Sequence, residues 1–273
     1  MQCFTPFGCC IAIFWSHQEG SRSRRNTMYR KVLSLFVATL FAVALAAGVP
    51  TAAQTDRKHS SSSSVTQKVE VPLNLAVLIQ DDVVSQVGNE IGVTKEFIRS
   101  LPAGSQVMVG YITTGTLQVR QPFTSDLDAA ARSLRIPIAN RSASPYNPYV
   151  EVIEALKKFD GTSKNKNAIL LVSDGLDVSR GFDITSAAHT MDLERAIKEA
   201  QRRNVAVFSF YAPTVGLTSH SFRAATYGQS SLNRLSHETG GEAYFQGTTG
   251  FVTFNPYFDQ LRRSLNDRYN RAG

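Results

Sequence analysis

The stretch LNLAVLI, Leu73 to Ile79, runs without a charge, and a second uncharged run, AILLV, stands at Ala168 to Val172. Short apolar runs of this kind suit strands buried on both faces, as in a parallel sheet with helices on either side. Each run ends in acid: Gln80-Asp81-Asp82 follows the first and Ser173-Asp174-Gly175 the second. Between them, Val93, Phe97 and Leu101 recur at i, i+4 and i+8, one face of a helix over Ile91 to Leu101, and Pro102-Ala103-Gly104 stops it. QVMVGYI (Gln106 to Ile112) reads as a strand and Leu117 to Gln121 as another. Thr113 to Thr116, with Gly115, is the hairpin turn between them. Ser125 and Asp128 form a capping-box pattern for the next helix.

Residues 136–148 carry Pro137, Pro145 and Pro148 and read as irregular, after which Tyr149, Val152, Ile153, Leu156 and Phe159 give a helical stripe. Downstream of the second run, Leu193, Ala196, Ile197 and Ala200 face one way on a helix, and VAVFSFY (Val205 to Tyr211) is a strand. Ala212 to Tyr227 reads as a long polar loop, either a second contact surface or a disordered segment. Leu232 and Leu235 lie on a helix closed by Gly240-Gly241, and Glu242 to Phe245 is a short strand. A final helix carries Phe258, Leu261 and Leu265, opened by Asn255-Pro256. The expected class is therefore α/β: a three-layer, doubly wound, mostly parallel sheet with helices on both faces and one short antiparallel edge strand. Such sheets bind ligands at the carboxyl ends of their strands, which here feed the loops 80–86, 139–148 and 173–179.

Ahead of this domain, expected to span residues 69–273, the chain reads as three pieces. Met28-Tyr29-Arg30-Lys31 is basic, Val32 to Val49 has no charge, and Thr51-Ala52-Ala53 is small, the order of a signal peptide over residues 28–53 cleaved after Ala53. An uncleaved anchor is the alternative, since an uncharged run of this length just spans a bilayer. Residues 54–68, with serine from Ser60 to Ser64, read as a linker. Residues 1–27 fit no domain and read as an upstream extension, with Met28 the initiator. The alternative is a twin-arginine signal at Arg24-Arg25, which Asn26-Thr27 do not suit. The expected location is secreted or periplasmic.

Charge and cysteine narrow the function. Residues 1–53 hold five Lys or Arg against one acid, and residues 54–273 hold 24 against 21, so the net charge of +7 overstates the basicity of the folded part. No Lys/Arg cluster interleaved with aromatics marks a nucleic-acid track. All three cysteines, Cys3, Cys9 and Cys10, precede the leader, which excludes a disulfide scaffold, a thiol enzyme and a cysteine-ligated zinc site for the domain.

The order of motifs resembles a von Willebrand factor A (VWFA) domain over about residues 70–270. Leu75-Ala76-Val77-Leu78-Ile79 with Asp81, and Ile169-Leu170-Leu171-Val172-Ser173-Asp174-Gly175, resemble its first and fourth strands. Pro122-Phe123-Thr124-Ser125-Asp126 is similar to the turn before its second helix, and Thr239-Gly240-Gly241-Glu242-Ala243-Tyr244-Phe245 to its late TGG-aromatic strand. The resemblance is nearest to bacterial, notably acidobacterial, VWFA-related proteins. It implies a binding module rather than an enzyme, with another protein as partner.

The resemblance also implies a metal-ion-dependent adhesion site, in which oxygen ligands hold magnesium and a partner's carboxylate completes the shell. Mapped onto this chain, Asp81 takes the first position of Asp-x-Ser-x-Ser and Ser85 the last, but Val83 stands in the middle with no oxygen to give. The other register, Gln80, Asp82 and Val84, fits less well. Asp174 matches the third-loop Asp, and the second-loop Thr falls at Ser142 or Ser144. The metal set is thus Asp81, Ser85, Ser144 and Asp174, a degenerate site, and the expectation is a module that needs no cofactor, with Mg2+ binding the alternative. Tyr146, Asn147, Asp82 and Asp177, on the loops of the ligand face, are the expected partner contacts, aromatic and polar anchors on a proline-stiffened loop.

Catalytic readings find less support. Asp81-Asp82 with Asp174 and Asp177 is similar to haloacid-dehalogenase phosphotransfer folds, but those need Asp-x-Asp where this chain has Val83, and no lysine completes the set. There is no Gly-x-Ser-x-Gly elbow, no Walker loop and no Gly-x-Gly-x-x-Gly. His189, His220 and His237 sit in contexts that need no catalytic role.

Overall fold

A computed structural model describes residues 68–139, 147–161, 164–179, 181, 190–247 and 252–270. The leader and linker readings, and Ser142, Ser144, Tyr146 and His189, lie outside the described residues. Six strands form one sheet: β1 (Leu73–Gln80), β2 (Gln106–Thr113), β3 (Thr116–Thr124), β4 (Lys166–Ser173), β5 (Val205–Tyr211) and β6 (Ala243–Tyr244). Their order is β3-β2-β1-β4-β5-β6. Every pairing is parallel except β2 with β3. The helices are α1 (Val87–Arg99), α2 (Leu127–Ser133), α3 (Pro148–Leu156), α4 (Met191–Arg202), α5 (Phe222–Thr239) and α6 (Asn255–Asn270), with a 3-10 turn at Leu217–Ser219. The expected class holds: this is an α/β fold, a mostly parallel sheet with helices on both faces and one antiparallel edge strand. No helix among the described residues is long and apolar enough to cross a membrane.

Strand alternation divides the core into two layers. Leu73, Leu75, Val77 and Ile79 of β1 pack with Ala168, Leu170 and Val172 of β4 against α1, α2 and α6. Ala76 and Leu78 pack with Ile169 and Leu171 against α3, α4 and α5. The first layer is closed by aromatic rings: Phe210 lies edge-on to Phe258 at 4.9 Å, and Phe97 stacks on Phe258 at 4.6 Å. Side chains at odd positions of β1 thus look to one helix layer and those at even positions to the other.

Several elements differ from the sequence reading. The antiparallel edge strand is not short: β3 runs on to Thr124, through Pro122. Pro122 lacks a donor but sits on an edge strand, beside a bulge in the β2 register, where none is required. Helix α1 buries Val87, Ile91, Thr94, Phe97 and Ile98, whereas Val93 is only partly buried and Leu101 lies past the helix end. Asp126, not Ser125, caps α2, accepting from the Ala129 amide at 2.8 Å. Asp128 instead pairs with Arg99 on the surface. Most consequentially, the polar loop expected over Ala212 to Tyr227 ends at Ser221, because α5 begins at Phe222. Its first half buries small residues, Ala224, Ala225, Gly228 and Ser231, so its inner face carries no large apolar stripe.

Candidate functional site

The two aspartates after β1 part company at the carboxyl edge. Asp81 continues the odd positions and turns toward the segment after α2. Its Oδ1 accepts from Arg135 Nη1 at 2.6 Å and its Oδ2 from Arg135 Nη2 at 2.9 Å, a bidentate pair. The Ile138 amide donates to Oδ1 at 3.0 Å. Arg135 lies 4.1 Å over the Tyr111 ring, and the Tyr111 hydroxyl donates to the Arg135 carbonyl at 2.6 Å while accepting from its amide at 2.8 Å. The Asp81 hydrogen bond raises the Arg135 pKa further, and burial raises that of Tyr111. Asp81 is thus buried and fully neutralised.

Asp82, with Gln80, turns to the opposite side. Gln80 Nε2 donates to Asp82 Oδ1 at 2.9 Å, while Ser173 Oγ donates to Gln80 Oε1 at 2.5 Å. Next to them, buried Asp174 accepts the Leu176 amide on Oδ1 at 3.1 Å and the hydroxyls of Thr214 and Thr218 on Oδ2 at 3.0 and 3.1 Å. Burial raises the pKa of Asp174. Burial, and then the charge of Asp174, push Asp82 up to about 7. No cation among the described residues is a cause of either shift. The register the sequence reading disfavoured, Gln80 and Asp82, is therefore the one that meets Asp174. The Tyr211 phenol is buried beside this pair, its pKa raised by burial and by Asp174. Its hydroxyl makes no well-formed hydrogen bond among the described residues, with Thr218 the one hydroxyl that acts on it. Neighbouring Thr218 has already given its proton to Asp174.

A strap formed by residues 212–219, following β5, crosses the mouth. Val83 bridges Thr214 in antiparallel fashion, the Val84 amide donates to the Pro213 carbonyl at 2.9 Å, and the Val215 amide donates to the Asp82 carbonyl at 3.0 Å. Thr218 Oγ1 accepts the Thr214 amide at 2.8 Å, and Ser219 Oγ donates to the Thr214 carbonyl. The strap explains Val83: the position is wholly buried beneath it, so an apolar side chain fits there where the expected adhesion motif would call for a hydroxyl. Behind the pair, α5 comes so close that a Cβ on Gly228 would run into the Asp174 carbonyl oxygen, and Gly175, at φ +72, faces the Gly228 carbonyl.

The remaining candidates scatter. Ser85 is exposed in the turn before α1. Asn147 caps α3, accepting from the Tyr149 amide at 3.1 Å and donating to Asp192 of α4 at 2.9 Å. Asp177 accepts the amide and hydroxyl of Ser179. His220 follows the 3-10 turn and His237 lies in the last turn of α5. Among the described residues there is no group of three or more His, Cys, Asp or Glu that could hold a metal. Sequence reasoning missed Arg135, Thr214, Thr218 and Tyr211. Only the last three carried a signal, as hydroxyls at the carboxyl end of β5.

The exposed large apolar side chains among the described residues are Ile136, Ile138, Met191, Leu217, Phe222 and Phe245. All six occupy the same edge. Ile136 and Ile138 follow α2 beside Asp81, Leu217 is on the strap, and Phe245 follows β6. Met191 and Phe222 open helices that start where β4 and β5 deliver the chain. Phe222 is 71% exposed and Ile138 65%.

No family model and no curated protein matches the sequence. Among solved structures, the chain is similar to an aerotolerance-related membrane protein from Bacteroides fragilis, at 14% identity over 72% of this chain and 100% of that one, with a TM-score of 0.48. It is similar to the conserved hypothetical protein BatB from Bacteroides thetaiotaomicron, at 11% identity over 74% and 100% of the two chains, TM-score 0.47. A third similar structure is the human COPII-coat protein Sec24c, at 14% identity over 72% of this chain and 32% of that one, TM-score 0.47.

Proposed function

We propose that this chain is an exported, non-catalytic protein-binding module of the acidobacterial VWFA-related type, which takes its partner at the carboxyl edge of the sheet with a degenerate adhesion site and no metal. The observation that carries the reading is the apolar rim: every large apolar side chain left exposed among the described residues stands on that edge. Large apolar side chains left exposed together at one edge, rather than scattered singly, mark a candidate contact site. Export rests on the leader over residues 28–53.

The donor set does not fit a magnesium ion. An Asp81-bound ion would compete with a guanidinium that already takes both carboxylate oxygens.

The test is retention of partners from the native envelope fraction by the immobilised chain, compared with Phe222→Ser/Ile138→Ser. Both positions are exposed, so the double variant is expected to keep its stability within about 0.5 kcal/mol and to lose the retained protein. Identical retention by both chains sinks the reading. Titration with millimolar Mg2+ or Mn2+ is expected to give no heat and no thermal shift. A metal-dependent gain in retention would establish instead the adhesion site of Asp81, Ser85, Ser144 and Asp174, recognising an acidic partner residue.

A further inference from the structure

Resting on that reading, we infer that the partner is held through a basic side chain, a lysine or arginine placed against Asp82 and flanked by apolar residues that meet Leu217 and Phe222. The sign of recognition is then opposite to that of a magnesium site, which selects a carboxylate.

Three observations converge. First, the edge carries one neutralised and one unneutralised acidic locus. Asp81 is closed by Arg135, whereas Asp82, held by the Gln80 amide, lies in the field of buried Asp174, and neither of these two forms an ion pair among the described residues. Two carboxylates drawn together out of water are complemented by a positive charge. Second, the Tyr211 hydroxyl is buried at this pair, 3% exposed, and finds no well-formed hydrogen bond among the described residues, Thr218 being the one hydroxyl that acts on it. A buried phenol with so weak an internal partner can still donate to an incoming group. Third, access is one-sided. Asp174 is sealed beneath Thr214 and Thr218, whereas Asp82 keeps part of its surface open beside the strap that presents Leu217. An incoming cation therefore meets Asp82 directly and Asp174 through its field, while its apolar neighbours find the rim.

The test is a random peptide library displayed on phage and selected against the full chain, followed by affinity measurements on synthetic copies of the enriched peptides. The expected winners carry Lys or Arg next to large apolar residues, and replacing that cation by norleucine weakens them at least about tenfold. Asp82→Asn is expected to cost a similar factor, and Tyr211→Phe a smaller one. Asp82→Asn removes a repelled charge without changing shape, so the variant is expected to fold and to melt higher than the parent at pH 8. Loss of binding alongside raised stability is a pair of results that a merely structural role would not produce. Enrichment of acidic or uncharged peptides, unchanged affinity in Asp82→Asn, or a selection returning no peptide that depends on Asp82 each overturns the inference. So does a lower melting point for Asp82→Asn, which would mean that the chain already supplies the cation. Binding that is lost in Phe222→Ser but kept in Asp82→Asn removes the charge and leaves the module reading intact. Peptides indifferent to both count against the rim as well.

Discussion

Asp81 and Asp82 are chain neighbours of the same residue type at the end of the same strand, and the fold treats them in opposite ways. Asp81 is buried, held by both nitrogens of a guanidinium, and built into the junction between β1, β2 and the segment after α2. Asp82, one residue on, lies on the opposite side against a second buried carboxylate and, among the described residues, is held by the Gln80 amide. Both lie in the turn just past Gln80, and the difference comes from what that turn sets each against: Arg135 for Asp81, the Gln80 amide and Asp174 for Asp82. A residue's type says little about its task until the groups set against it are known. The neutralised aspartate carries structure. The unneutralised one costs stability, and a cost retained in a fold is where a function is to be sought.

The comparison breaks most visibly at Asp81. Asp81→Ala leaves Arg135 without its anion and the Ile138 amide without its acceptor. Removing one member of a buried ion pair costs about 3–5 kcal/mol. Arg135 keeps 26% of its side chain in water, which places the expected loss near the bottom of that range, about 3 kcal/mol. Urea denaturation measures it, and a loss below about 1 kcal/mol, the worth of an exposed pair, would show that the clamp is not structural.

At Asp82 the sign reverses. Its carboxyl stands at about 7 in the fold against an ordinary value of 3.8, so the folded state holds the proton more tightly than the unfolded chain. Stability from this group is therefore unaffected below about pH 4 and falls as the pH rises from there through 7, and the full penalty is present above that. Asp174, raised by burial, acts in the same direction. A shift of this size corresponds to at most about 4 kcal/mol, and about 2 kcal/mol once the carboxylate's contact with water is allowed for. The check is the difference between the parent chain and Asp82→Asn in urea midpoints across that pH range. The variant is expected to gain steadily up to pH 8 and to equal the parent near pH 4. A flat difference would mean that Asp82 titrates as in an unfolded chain.

How far the sequence carries is visible in the same residues. Uncharged runs, helical stripes and glycine turns placed β1, β2, β4, β5 and the inner faces of α3, α4 and α6, because burial imposes a period that residue type records. The first half of α5 was not legible, since close approach of a helix to the Asp174 turn selects Ala, Gly and Ser, which read as a loop. The register of the site was not legible either. A strand buried on both faces has no polar alternation, so nothing in LNLAVLIQ says whether Asp81 or Asp82 faces Asp174. Arg135 and Thr214 reach their carboxylates across separations of 54 and 40 residues, contacts that no local pattern encodes.

Asn147 gives the smallest effect and the sharpest distinction between a residue that builds the edge and one that meets a partner. The sequence placed it among the partner contacts, and the fold gives its side chain two internal tasks, capping α3 and reaching Asp192 on α4. Asn147→Ala removes a helix cap, for an expected loss of about 1 kcal/mol. Asp192 is not orphaned, because Arg195 still donates to it at 2.9 Å. Asn147→Asp restores the cap but sets a second negative charge beside Asp192, so it is expected to recover only part of the loss. If Asn147 serves the scaffold alone, both variants retain partner as the parent does while their urea midpoints shift. If Asn147→Ala instead loses the partner with its midpoint unchanged, the residue belongs to the contact surface with Phe222, and the boundary between scaffold and rim must be drawn one helix further along the edge.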